Sequence, residues 1–509
     1  MSDSHCPADT VADGLFLHTD EASTRQYRHA LESVAEVVTD STRASDTVYS
    51  GADPAAVRAS FDEVDCLPLE GSGLDEALET VRETVLSDAV RMSHPWYLAH
   101  LNCAPMVPAV AADTLVSTLN QSHAAWDLGP SVDVLEEAFV AEFADLLGLP
   151  DSAAGVFTSG GTQANFTALL LARGWYADEY LDTDVQTDGL PAEASAFRLL
   201  RSEIGHPTAD EAAAKMGLGE SATVTVPVDE AHRMDAAALA ETVERLVAEG
   251  QRPFAVTATA GTTDYGSIDP LAEIADVADE YDLWFHVDAA YGGALAVSDR
   301  HREKLAGIER ADSVAVDFHK FLFQPASCGI FLLREEDNYR YLGHEAAYLN
   351  PGRDSVPHRT EKSVQWTRRA DVLKPFVTFQ TVGREGMAAL VDAVIELANR
   401  VDDLVAEDPA FDLISASEIS TTVFRYCPQE TPETVSHGVW ADEINDAIRD
   451  AALADGRTLL ARTQADGRTY LKFTLLNPCT SLDDVAAVLD LIREFGREIE
   501  SDLSAGDIR

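Results

Sequence analysis

Between residues 150 and 330 short apolar runs alternate with amphipathic segments, and this alternation narrows the possible folds more than any other feature of the chain. The runs are Ala154–Thr158, Ala222–Val228, Phe254–Thr259, Leu283–Val287 and Ser313–Val316, and Ala236–Ala248 carries apolar residues at helical spacing between two of them. Strands that are apolar along their whole length, separated by helices, belong to a mostly parallel sheet covered on both faces. The expected fold class is therefore α/β, and ligands of such sheets gather where the strands end.

The flanks read differently. Residues from about 20 to 90 hold helix-like segments such as Ala30–Val38 and few strand signals, which points to a helical N-terminal unit. Beyond about 385 a helix over Gly386–Asp402, strands at Thr421–Tyr426 and Tyr470–Leu475, and a last helix near Leu482–Glu500 describe a small α+β unit. The polar stretch Glu335–Glu361, with Gly343, Pro351, Gly352 and Pro357, reads as a long loop of the kind that often serves as a lid.

Charge sets the conditions under which this fold works. Among 509 residues, 88 acidic against 37 basic side chains leave a net charge of −51, and six of the basic residues are lysines. The surplus is spread along the chain, so it repels itself unless salt screens it, and we read it as adaptation to high salt. It also speaks against a nucleic-acid partner, whose phosphates it would repel. The apolar stretches are too short to span a bilayer, and the first residues lack the basic segment and apolar core of a secretory signal, so no membrane association and a cytoplasmic location are expected. Six scattered cysteines without a CxxC pair fit neither a metal site nor a disulfide framework.

Chemistry concentrates where strands end. The run Ser313-Val314-Ala315-Val316-Asp317-Phe318-His319-Lys320 places a lysine there, and Phe285-His286-Val287-Asp288-Ala289-Ala290 places a carboxylate followed by small residues. Taken singly, Lys320 could be a solvated strand-end residue and Asp288 a helix cap. Together they form the pair that pyridoxal phosphate requires: a lysine to hold the aldehyde as a Schiff base and an aspartate to keep the pyridine nitrogen protonated. Phe157-Thr158-Ser159-Gly160-Gly161-Thr162-Gln163-Ala164-Asn165 adds a strand, two glycines and a helix start, a cradle for a phosphate; alone, such a turn can be conformational.

The Ser-Gly-Gly-Thr turn, the His-Val-Asp-Ala-Ala stretch and the His-Lys pair, in this order, resemble the group II pyridoxal-dependent amino-acid decarboxylases, and the similarity runs from about His94-Pro95 to Asn477-Pro478. The resemblance implies a fold-type I homodimer, with residues 1–100 as an N-terminal helical segment packing on the partner, 101–385 as the large cofactor domain and 386–509 as the small C-terminal domain. It further implies that Lys320 carries the cofactor, Asp288 meets the ring nitrogen, Ala290 lies beneath the ring and His206 stacks on it and touches the substrate carboxylate. Gly161, Thr162 and His319 match phosphate-binding positions, Thr263 a threonine close to the cofactor, and Tyr348 the loop tyrosine that returns a proton after carbon dioxide leaves; an exposed loop aromatic is the competing reading of Tyr348. Several members have asparagine facing the phosphate where this chain has Asp317. A second anion there would repel the phosphate, so Asp317 is expected to point elsewhere.

For the substrate, Asn120-Gln121-Ser122-His123-Ala124-Ala125-Trp126-Asp127-Leu128-Gly129-Pro130-Ser131 resembles a pattern of L-2,4-diaminobutyrate decarboxylases, and Asp127 would pair with the distal ammonium. An aromatic amino acid or glutamate stays open, the latter because Arg368 and Arg369 could receive a distal carboxylate. Another pyridoxal-phosphate lyase or aminotransferase, or a catalytically silent homologue, completes the alternatives.

Overall fold

The computed structural model describes residues 15–343, 359–433, 435–465 and 467–504. Its centre is a seven-stranded sheet of β2 (Ala154–Thr158), β3 (Phe197–Ser202), β4 (Thr223–Val226), β5 (Arg252–Thr259), β6 (Trp284–Asp288), β7 (Ser313–Asp317) and β8 (Gly329–Leu333), in the order β2-β8-β7-β6-β5-β3-β4. Strand β8 runs antiparallel to both its neighbours and the remaining pairs are parallel. Six strands therefore point the same way, and Thr158, Ser202, Val226, Thr259, Asp288 and Asp317 end them along one edge.

The reason this sheet needs two covers is visible residue by residue. Phe157, Leu200, Val256, Phe285, Val314 and Ile330 belong to one core, which takes in the helices Pro130–Leu146, Ala236–Ala248 and Leu271–Glu280. Their neighbours Val156, Leu199, Ala255, Trp284, Ala315 and Phe331 belong to a second core under the helices Gly161–Leu181 and Thr208–Lys215. Side chains alternate across a strand, so a strand apolar at every position is buried on both faces.

A second sheet has the order β1-β11-β12-β10-β9, formed by β1 (Tyr97–Leu98), β9 (Phe411–Ser415), β10 (Thr421–Tyr426), β11 (Leu459–Ala465) and β12 (Arg468–Thr474). Its strands pair antiparallel except β1, which comes from the N-terminal stretch and lies parallel to β11. The helical segment Leu373–Glu407 joins the two units and breaks at Gly383, where φ is +72°. Ahead of both sheets lies the helix Glu21–Arg43, capped by Asp20, in which Ser23 is the one buried residue.

Strands β2, β4, β5, β6 and β7 fall within two residues of their expected bounds, whereas β3 and β8 were not anticipated. The lysines divide by depth: Lys215 and Lys304 are exposed, Lys320 and Lys362 half-buried, and Lys374 and Lys472 buried.

Candidate active site

A cavity of about 310 Å³ opens at the strand-end edge of the large sheet. Lys320 enters it from the turn that follows β7, and its Nζ lies 3.0 Å from Asp317 Oδ2. Asp317 thus points into the cavity, against the expectation that it would turn away. The reason is local: its carboxylate is 3% exposed and faces a lysine ammonium, which offsets part of the cost of burying it.

At the same end Gly160, with φ +149°, starts the helix Gly161–Leu181 without a side-chain cap. The amides of Gly161 and Thr162 are the first of that helix and have no intrahelical acceptor, so they offer donors to an anion. A Cβ on Gly329 would come 2.7 Å from Asp317 Oδ1 and 2.9 Å from Gly160 Cα, so that position needs glycine for space, and one on Gly160 would sit tightly, 3.1 Å from the His319 ring. His319 Nδ1 is 2.9 Å from Cys328 O, a bond in which the ring nitrogen donates and which fixes the imidazole beside Gly160.

Opposite this end, Asp288 closes β6. Its Oδ1 accepts from the Ala290 amide at 3.1 Å and its Oδ2 from Asn165 Nδ2 at 2.7 Å. Ala290 puts a methyl where a larger side chain would fill the cavity, and Gly161 packs against it. His206 comes from the turn after β3, which the Gly205 amide closes on Ser202 O at 3.0 Å. Thr263 lies in the loop after β5, and its carbonyl accepts from Lys472 of the small sheet at 2.8 Å.

Eight expected residues therefore line one cavity: Gly161, Thr162, His206, Thr263, Asp288, Ala290, His319 and Lys320. Asp127 does not join them. It is exposed on the turn Trp126–Leu128, outside the cavity lining. Arg368 and Arg369 also stay away: Arg368 is buried against Glu136 at 2.9 Å, and Arg369 pairs with Asp113 at 2.9 Å. Tyr348 lies outside the described residues. Sequence reasoning missed Asn165, whose place one turn into the phosphate-cradle helix was the available signal.

Free amides, an amine, a small floor and a fixed carboxylate at the far end fit the phosphate, aldehyde, ring face and ring nitrogen of pyridoxal phosphate. The comparisons agree. A model of the pyridoxal-dependent decarboxylase conserved domain matches residues 62–427. An L-2,4-diaminobutyrate decarboxylase of Rhizobium meliloti (strain 1021) is 40% identical over 489 residues, 95% of this chain and 94% of that protein. Another of Acinetobacter baumannii is 37% identical over 448 residues, 86% and 87% of the two chains. Among solved structures, the glutamate decarboxylase domain of diaminobutyrate-pyruvate transaminase and L-2,4-diaminobutyrate decarboxylase from Vibrio parahaemolyticus superposes with a TM-score of 0.87 at 36% identity, covering 96% of this chain and 100% of that one. A family match over most of the chain, on a fold that assembles the lysine, the aspartate and the phosphate cradle in one cavity, makes this protein a member of the pyridoxal-dependent decarboxylases, a pyridoxal-phosphate carboxy-lyase acting on an amino acid.

Proposed function

We propose that the substrate is L-2,4-diaminobutyrate, which loses its α-carboxylate as carbon dioxide and leaves 1,3-diaminopropane. Two relatives alike over most of their length carry that name, and this is the observation on which the substrate rests. The pairing of Arg368 and Arg369 with Glu136 and Asp113 counts against glutamate, because it occupies both cations that favoured a distal carboxylate. Asp127, exposed on its turn, meets a distal ammonium if assembly brings that turn to the cavity mouth. Undiminished diaminobutyrate turnover in Asp127→Ala removes it from the site.

Bound pyridoxal phosphate supplies an aldehyde for the substrate amine and a protonated ring that accepts the electrons released with carbon dioxide. The protein does the rest. Lys320 would hold the aldehyde, and the Asp317 carboxylate, 3.0 Å from its Nζ, would pair with that side chain when it is protonated. Asp288 would hold the ring nitrogen, His206 would meet the ring and the substrate carboxylate, and the amides of Gly161 and Thr162 with His319 would hold the phosphate. Ala290 and Thr263 would bound the space for the ring, and Tyr348 would supply a proton to Cα.

The active form we propose is a cytoplasmic homodimer in which residues 1–100 pack on the partner, beside a large cofactor domain (101–385) and a small domain (386–509). A helix of 23 residues with one buried side chain has little to hold it on its own chain. Leu31, Val34 and Val38 on that helix, and Val107 and Leu119 on the helix Val107–Leu119 beside it, expose apolar surface that a second copy would cover. Among the described residues no helix is long and apolar enough to cross a membrane. The net charge of −51 favours activity in concentrated salt.

Purified protein with pyridoxal phosphate in molar salt, offered a panel of L-amino acids with mass-spectrometric detection of carbon dioxide and amine, tests this reading. We expect 1,3-diaminopropane from 2,4-diaminobutyrate. Tyramine, dopamine or γ-aminobutyrate as the main product would replace the substrate and keep the chemistry.

A further inference from the structure

Behind Asp288 lies a set of buried polar side chains to which the reaction assigns no task. Asn165, 3% exposed, uses its whole amide: Nδ2 is 2.7 Å from Asp288 Oδ2 and 3.0 Å from Thr208 Oγ1, while Oδ1 is 3.0 Å from His286 Nε2. Beyond it, His286 Nδ1 lies 3.0 Å from Ser313 Oγ, which accepts from Trp284 Nε1 at 2.9 Å. On the other branch Thr208 Oγ1 is 3.2 Å from His206 Nδ1. His286 and Ser313 have no exposed surface.

Chemistry at the two ends fixes the direction of every bond. A carboxylate accepts and an indole N–H donates, with no alternative for either. Asp288 therefore obliges Asn165 to present its NH2 group, which turns Oδ1 toward His286 and requires a proton on Nε2. Trp284 occupies a lone pair of Ser313 Oγ, whose own proton then goes to His286 Nδ1. The opposite tautomer would bond Ser313 O, 3.1 Å from Nδ1, but would leave the Nε2 lone pair facing the Asn165 oxygen. An imidazolium could donate from both nitrogens, but burial pushes the His286 pKa down to about 4 even though Asp288 pulls it up, so the ring is neutral. On the side branch the second Nδ2 hydrogen goes to Thr208, whose hydroxyl proton points to His206; the Thr208 amide, 3.3 Å away, adds a second donor to the same nitrogen.

We propose that Asn165 is the positioning residue of the cofactor site, orienting the Asp288 carboxylate directly and the His206 imidazole through Thr208. Both oxygens of Asp288 are then held by fixed N–H groups, Ala290 N on one and Asn165 on the other, so the carboxylate cannot rotate without losing two bonds. Asn165 stands one turn inside the helix whose first amides face the phosphate, so one rigid element sets both ends of the cofactor site. This inference rests on the assignment of Asp288 to the ring nitrogen.

The test reconstitutes the holoenzyme with pyridoxal phosphate labelled with ¹⁵N at the ring nitrogen and compares wild type, Asn165→Leu, Thr208→Val and Thr208→Ser by NMR. In wild type the ring nitrogen should be protonated. In Asn165→Leu it should move toward the neutral-pyridine value, and kcat should fall roughly 10–100-fold, the usual scale for losing an orienting contact, with KM little changed. Thr208→Val should leave the ring nitrogen protonated and raise KM, and Thr208→Ser should restore it. A ring nitrogen that stays protonated in Asn165→Leu overturns the proposal but spares Asp288, whereas a neutral ring nitrogen in wild type removes the Asp288 assignment itself. Should Asn165→Leu not fold, the wild-type tautomer of His286 decides: a proton on Nε2 supports the chain, and one on Nδ1 overturns it.

Discussion

The two ends of the cavity are built on opposite principles. Around Asp288 the donors and acceptors of Asn165, His286, Ser313 and Thr208 close on one another, and both carboxylate oxygens are held by protein N–H groups. Around Gly161 the first amides of the helix have no side-chain cap, so their donors are left for an anion. The difference teaches where preorganisation matters. The protein finishes the end where a charge must be aimed, and leaves to the ligand the end whose dianion supplies its own bonds.

Substitutions can break this contrast. The largest effect should come from Lys320→Ala at the junction of the two ends. It is expected to abolish turnover and the covalent link to the aldehyde, yet to retain pyridoxal phosphate bound without covalent attachment, as equilibrium dialysis would show; loss of all binding would mean that the cradle is too weak alone. Next is Arg368→Met, beneath the open end. Arg368 NH1 donates to Phe157 O at 3.1 Å and pairs with Glu136, so its removal leaves that buried carboxylate facing His123 Nε2, 3.5 Å away, without its arginine. Denaturant melts in molar salt should show a loss of about 3–5 kcal/mol, and a change near zero would show that Glu136 is neutralised by other means.

His286→Gln probes the closed end through pH. Because burial lowers the His286 pKa from 6.5 to about 4, the folded state binds fewer protons than the unfolded state between those values. Its contribution to stability is therefore fully present above about 6.5, declines as the pH falls toward 4 and is lost below that. The wild type should lose roughly 1–3 kcal/mol more than His286→Gln over this window, and equal slopes would mean that burial does not lower the His286 pKa. The smallest effect is expected from Asp317→Asn, which removes an anion near the phosphate and should tighten cofactor binding by about 1 kcal/mol. Weaker binding instead would show that the carboxylate matters more as a partner of Lys320 than as a repulsive charge.

The same two ends differ in how far the sequence disclosed them. Lys320, Asp288 and the Gly160-Gly161 turn were readable because each stands where a strand stops, and strands apolar at every position are easy to see. Strand β3 was hidden because Arg198 and Arg201 interrupt its apolar residues; in the fold Arg201 is absorbed by Asp210 at 2.6 Å. Strand β8 was hidden because no helix separates it from β7, so it falls outside the alternation of apolar runs and amphipathic segments. Asp317 was misjudged by considering the phosphate without Lys320, three residues away in the same turn. Asn165 escaped because its importance arises from Asp288 and His286, more than 120 residues distant, and no local pattern announces a bond of that range. Asp127 and the arginine pair illustrate the reverse: a side chain of suitable charge in a suggestive motif says little until its distance from the cavity is known.

The depth of the lysines has a practical consequence for cofactor loading. An aldehyde in solution condenses with whatever amine it reaches, and most proteins offer it many. This chain has six lysines, of which Lys215 and Lys304 are exposed while Lys374 and Lys472 are enclosed. Stray adducts on the outer surface therefore have few lysines to form on, and borohydride reduction of the loaded enzyme should leave most of its label on a single peptide, the one that carries Lys320.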